Sequence, residues 1–80
     1  MAKQPVSPAV IENIFEATPY LVKLPSKKIY LDYDEEADVL YISFDRPQHA
    51  TDSEMLDQGI LLRYRDEKLV GMTVFEASKR

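Results

Sequence analysis

The chain has 80 residues and no cysteine, and its ten basic and fourteen acidic side chains leave a net charge of −4. A chain of this length holds one small domain with little net stability from a single core, and without cysteine neither a disulfide frame nor a thiolate metal site can reinforce it. The charge is segregated, with residues 32–57 summing to −8 and each flank to +2, so the middle of the chain attracts basic surfaces and direct nucleic-acid binding is disfavoured.

The first residues, Met1-Ala2-Lys3-Gln4-Pro5, contain no apolar run of the signal-peptide kind, and no other stretch approaches membrane-spanning length, so a soluble cytoplasmic protein is expected. Ser7-Pro8 is a helix start: the serine caps, and proline at the first helical position gives up an N–H that has no partner there. The spacing predicts an amphipathic helix over 8–17, with Val10, Ile11, Ile14 and Phe15 on one face and Glu12, Asn13 and Glu16 on the other. Thr18-Pro19 is expected to end it, because the residue before proline is pushed out of the α region. Tyr20, Leu21 and Val22 then belong to an apolar stretch, 20–24, enclosed by Pro19 and Pro25, which reads as a short edge strand or an extended arm.

From Ile29 onward the sequence repeats itself. Ile29, Leu31, Tyr33, Glu36, Val39 and Phe44 recur thirty-one residues later, without a gap, as Ile60, Leu62, Tyr64, Glu67, Val70 and Phe75. Each copy has apolar residues at alternate positions, an acidic break and a second apolar run, which is the pattern of a β-hairpin. Strands are expected at 29–33 and 38–44 around a turn at 34–37, and at 60–65 and 69–76 around a turn at 66–68, with an extended segment at 51–56. In 38–44, Val39 and Tyr41 point one way and Leu40, Ile42 and Phe44 the other. That strand therefore reads as central and covered on both sides, by the amino-terminal helix and by a second copy of the chain. Gly71, where the first copy has Leu40, marks a bulge or a close approach of another backbone. The tail from Ala77 to Arg80 reads as frayed. The expected fold is α+β, mainly β. Residues 29–80 form a small antiparallel sheet of two tandem similar hairpins, and residues 1–28 form an extension whose helix packs on it.

Candidate chemistry is sparse. Asp32, Asp34, Glu36 and Asp38 alternate as the ligands of a calcium loop do, but such a loop needs Gly at its sixth position and Glu at its twelfth, where counting from Asp32 finds Ala37 and Ser43. His49, Asp52 and Ser53 are hydrolase residue types in one polar loop, without a nucleophile elbow. Gly59 and Gly71 are the only glycines, so there is no phosphate-cradling loop. Tyr30, Tyr33, Tyr41 and Tyr64 have the rings of a base-stacking platform, but such platforms sit in basic grooves, and three of these tyrosines lie among Asp32, Asp34 and Asp38. No enzyme, cofactor or metal is expected.

The ordered combination Tyr33-Asp34-x-x-x-Asp38-x-Leu40-Tyr41-Ile42, Gly59-x-x-Leu62-x-Tyr64, Leu69-Val70-Gly71 and Ala77-Ser78 resembles the prokaryotic family called domain of unknown function 2283, over residues 29–80. The resemblance implies a small, mainly β domain with no established activity to carry over. It also implies an antitoxin-like role, since members often resemble one half of a pair whose neighbour looks like a small basic messenger-RNA-cleaving toxin. This sequence departs from the family at Arg63 and Arg65, where the family tends to be acidic, and at Thr73, where it has Glu.

These readings together imply a protein-binding module. Asp32, Asp34, Glu35, Glu36 and Asp38 are expected to steer a small basic, toxin-like partner, and Tyr20, Leu21 and Val22 to supply apolar contact by burial or strand addition. A homodimer is expected alongside. The alternatives are a homodimeric structural domain with no other partner, and a small-ligand or metal-binding domain.

Overall fold

A computed structural model describes residues 3–80; Met1 and Ala2 lie outside the described residues. Helix α1 (Pro8–Leu21) begins as expected. Ser7 is extended, its hydroxyl accepts the Ala9 N–H at 3.2 Å, and Pro8 takes the first helical position. The helix does not stop at Ala17 but runs through Pro19 to Leu21. A proline this near the end removes only one helical donor, the N–H that would bond the Phe15 carbonyl. Thr18 Oγ1 donates to the Ile14 carbonyl at 2.6 Å and the Val22 N–H closes on the Thr18 carbonyl at 3.1 Å, so the turn completes around the ring. Tyr20 and Leu21 are therefore helical and Val22 caps the helix in αR geometry, in place of the expected strand or arm.

The sheet contains β1 (Tyr30–Asp34), β2 (Val39–Ser43), β3 (Asp52–Leu56), β4 (Ile60–Arg65) and β5 (Lys68–Phe75), in the order β1-β2-β5-β4-β3 with every pair antiparallel. The fold is thus mainly β with one helix. The two tandem hairpins, β1–β2 and β4–β5, meet through β2 and β5, and the extended segment becomes the edge strand β3 against β4. The sequence repeat is not matched in register. Tyr33 lies opposite Leu40, whereas its counterpart Tyr64 lies opposite Leu69 rather than Gly71, because β4 and β5 slip between Arg63 and Tyr64.

Gly71 meets both halves of its expectation. It sits beside that slip, and a Cβ there would clash with the amide of Gln48 and lie 3.0 Å from the Ile42 carbonyl oxygen. The space is used, since Gln48 Nε2 donates to Ser43 Oγ at 2.8 Å. The tail is not frayed: Ala77–Lys79 form a 3-10 turn held by bonds described below.

Antiparallel partners share a face, so the register sorts the side chains. Two rows cross all five strands on one face: Tyr33, Leu40, Val74, Ile60, Leu56 and Leu31, Ile42, Met72, Leu62, Glu54. Nine of these ten are apolar and none is buried. The opposite face is mixed, with rows such as Asp32, Tyr41, Thr73, Leu61, Met55 and Tyr30, Ser43, Gly71, Arg63, Ser53. Among the described residues the buried apolar side chains are Val39, Phe44 and Val70, joined by Thr73. β2 is interior to the sheet as expected, but Tyr41 is exposed within the single chain. The stripe of α1 is open as well: Val10, Ile11, Ile14 and Phe15 are 47–73% exposed and no residue of the helix is buried.

Candidate functional site

The acidic turn of the first hairpin spans residues 35–38. Asp34 stiffens it by accepting the Ala37 N–H at 3.2 Å, a local bond that aspartate makes readily in turns. Asp38 closes it in the left-handed region, φ 55, which aspartate tolerates better than most residues. Its carboxylate accepts the Tyr33 hydroxyl at 2.6 Å, the Ser78 N–H at 2.9 Å and the Ser78 hydroxyl at 2.8 Å, while its carbonyl accepts the Ala77 N–H at 3.0 Å. These bonds latch the carboxy-terminal turn to the first hairpin. The bonds from Tyr33 and Ser78 favour the charged carboxylate and hold Asp38 below the usual range. The Tyr33 phenol is raised by the same bond to Asp38, because losing its proton would set two negative oxygens side by side.

A second cluster fixes the loop after β2. Arg65 Nη2 donates to Asp45 Oδ2 at 2.7 Å and Nη1 to the Gln48 carbonyl at 3.1 Å, with Lys68 Nζ 3.8 Å from the same Asp45 oxygen. The Arg65 bond holds the Asp45 carboxyl below its ordinary value. Arg46 donates to Asp32 Oδ2 at 2.6 Å and lies 5.1 Å from the centre of the Tyr30 ring. Ion pairs this exposed add little stability; they hold the loop against β1 on one side and β4 on the other.

The expected partner-binding residues therefore part company. Asp32 is engaged by Arg46, Asp34 by its own turn and Asp38 by the latch. Glu35 and Glu36 are exposed and belong to no ion pair among the described residues. Tyr20 and Val22 are exposed at the end of α1, with Lys23 Nζ 6.0 Å from the Tyr20 ring centre. Leu21, Val22, Leu24, Pro25 and Ile29 line a shallow groove of about 560 Å³. The acidic turn follows β1 and this groove precedes it, so the two are separated by the length of that strand, roughly 15 Å.

The other candidate groups are not assembled into a site. His49 stands exposed in its loop at φ 49, and the Asp52 carboxylate is used by the Ser53 N–H at 2.8 Å. Alternation puts Tyr30 and Tyr41 on one face of the sheet and Tyr33 on the other, so they form no common platform. Among the described residues no three His, Cys, Asp or Glu side chains are grouped to hold a metal ion, and no helix is long and apolar enough to cross a membrane.

Sequence reasoning missed the structural work of Asp38, Arg46, Gln48, Arg65 and Ser78. It also missed the one-sided apolar face, whose signal was present: Leu31 and Tyr33, Leu40 and Ile42, Ile60 and Leu62, and Met72 and Val74 are all spaced by two. A family model described as protein of unknown function, DUF2283, matches residues 31–78. No curated protein and no solved structure matches.

Proposed function

The chain belongs to the DUF2283 family of proteins of unknown function, and from that premise we propose that it is a non-enzymatic, cytoplasmic protein-binding module with an antitoxin-like role, masking a small basic partner. The observation that carries this reading is the pair Glu35 and Glu36, exposed and without an ion pair among the described residues, at the turn of a hairpin whose outer strand, β1, has a ladder partner on one side only. Two free carboxylates within a segment of net charge −8 steer a basic surface toward this end of the sheet. The open edge of β1 then offers backbone N–H and C=O groups for strand addition. Tyr20 and Val22, exposed at the far end of the same strand, extend the contact with apolar area.

The test is affinity capture of the tagged full chain from its own host at low and at moderate salt, beside a Glu35→Lys, Glu36→Lys variant. The reading expects one small basic protein in stoichiometric amount, released as salt rises and lost with the charge reversal. Capture that the reversal leaves unchanged would exclude the hairpin as its site. Both residues are exposed and make no ion pair among the described residues, so the variant's urea stability is expected within about 0.5 kcal/mol of the original.

A further inference from the structure

Two apolar surfaces of this chain, one exposed and one half-buried, each have the form that would cover the other. We infer that a second copy of the chain covers both by reciprocal exchange, with α1 of each protomer lying across the apolar face of its partner's sheet. The inference does not depend on the acidic hairpin.

The stripe of α1 is open in the single chain, up to Phe15 at 73% exposure, and on the sheet rows Leu31 at 53% and Tyr33 at 51% are exposed while the other seven apolar side chains are half-buried. They match in size: fourteen helical residues give a rod of about 21 Å, and five strands spaced about 4.8 Å apart place the outer two about 19 Å from each other. They also match in charge, for the stripe carries none and the two rows carry only Glu54, on the edge strand β3. Nothing in either surface repels a copy of the other.

The exposed area fits a second copy as the occupant. The chain exposes 6675 Å² at a mass of 9.2 kDa, whereas a compact monomer of that mass exposes about 4,900 Å². The excess, roughly 1,700 Å², lies within the roughly 1,000–2,500 Å² that each partner of an obligate homodimer buries. The connection after α1 is already fixed by its own bonds. The Lys23 and Leu24 N–H groups close turns on the Tyr20 and Leu21 carbonyls at 3.2 Å, and Ser26 Oγ is bonded to the Lys28 carbonyl at 2.8 Å and the Phe44 carbonyl at 3.3 Å. Exchange about a two-fold axis keeps this connection as it stands and buries both surfaces twice.

The absence of cysteine makes the arrangement testable by cross-linking the full chain. Chains carrying Ile14→Cys are unfolded and refolded together with chains carrying Met72→Cys, then mildly oxidised. The expected product is a disulfide between the two kinds of chain, and light scattering of the original protein is expected to give twice 9.2 kDa. Ile14→Asp is expected to return the mass to that of one chain while the strand signal in circular dichroism is kept, because Ile14 is exposed in the single chain. A single-chain mass at all concentrations would overturn the inference. So would an Ile14→Asp chain that stays dimeric, a doubly substituted chain that cross-links only within itself, or a disulfide formed only between two Met72→Cys chains.

Discussion

At the scale of single residues, the side chains that look most like chemistry hold the fold together. Asp38 stands in an acidic run, yet its carboxylate is occupied by Tyr33 and Ser78. A carboxyl held below its unfolded value stabilises the fold above that value, about pH 4, and the contribution is lost as pH falls through the lowered folded value. The raised Tyr33 phenol acts in the opposite sense: its contribution is complete below about pH 10 and is lost as pH rises beyond its folded value. Asp38→Asn is therefore expected to lower stability at neutral pH and to flatten its acid dependence below about pH 4, measured by urea unfolding from pH 2 to 7. Gly71 gives a second prediction. Gly71→Ala would press on Gln48 and the Ile42 carbonyl, and is expected to cost about 1–3 kcal/mol. Adding Gln48→Ala should recover part of that loss in the same unfolding experiment, leaving the contribution of the carbonyl.

At the scale of elements, local and tertiary signals disagree in one place. The helix start was legible because a cap and a proline act within one turn. Its end was not, because the penalty before proline is a tendency that the bonds from Thr18 to Ile14 and from Val22 to Thr18 overcome. Pro19→Ala would restore a donor for the Phe15 carbonyl. It is expected to raise the helical signal and to stabilise α1 by up to about 3 kcal/mol, the full interior value, with less in a last turn. The hairpins were legible from alternation, but their pairing register was not, since thirty-one-residue periodicity carries no information about the slip between Arg63 and Tyr64.

At the scale of the whole molecule, three buried apolar side chains among the described residues are few for a chain of 80, and small domains depend on the area they bury. The proposed reciprocal exchange of α1 would supply that area from the second copy. It links stability to association, so the unfolding midpoint of the original chain is expected to rise with protein concentration. Ile14→Asp should abolish that dependence, which differential scanning calorimetry at several concentrations would read directly.

The sequence by itself determined the mainly β class, the two hairpins, the helix start and the acidic centre, because propensity, alternation, capping and charge act over a few neighbouring residues. It also pointed to Tyr20, Leu21, Val22 and the acidic hairpin as candidate binding groups, without separating those already engaged from those free. Only the tertiary structure decided that Asp32, Asp34 and Asp38 have partners while Glu35 and Glu36 make no ion pair among the described residues. The strand order β1-β2-β5-β4-β3 and the gathering of nine apolar side chains on one face were likewise decided there. Those outcomes depend on which distant strands meet and in what register, and such contacts are set by the burial of the assembled sheet rather than by any local run of residues.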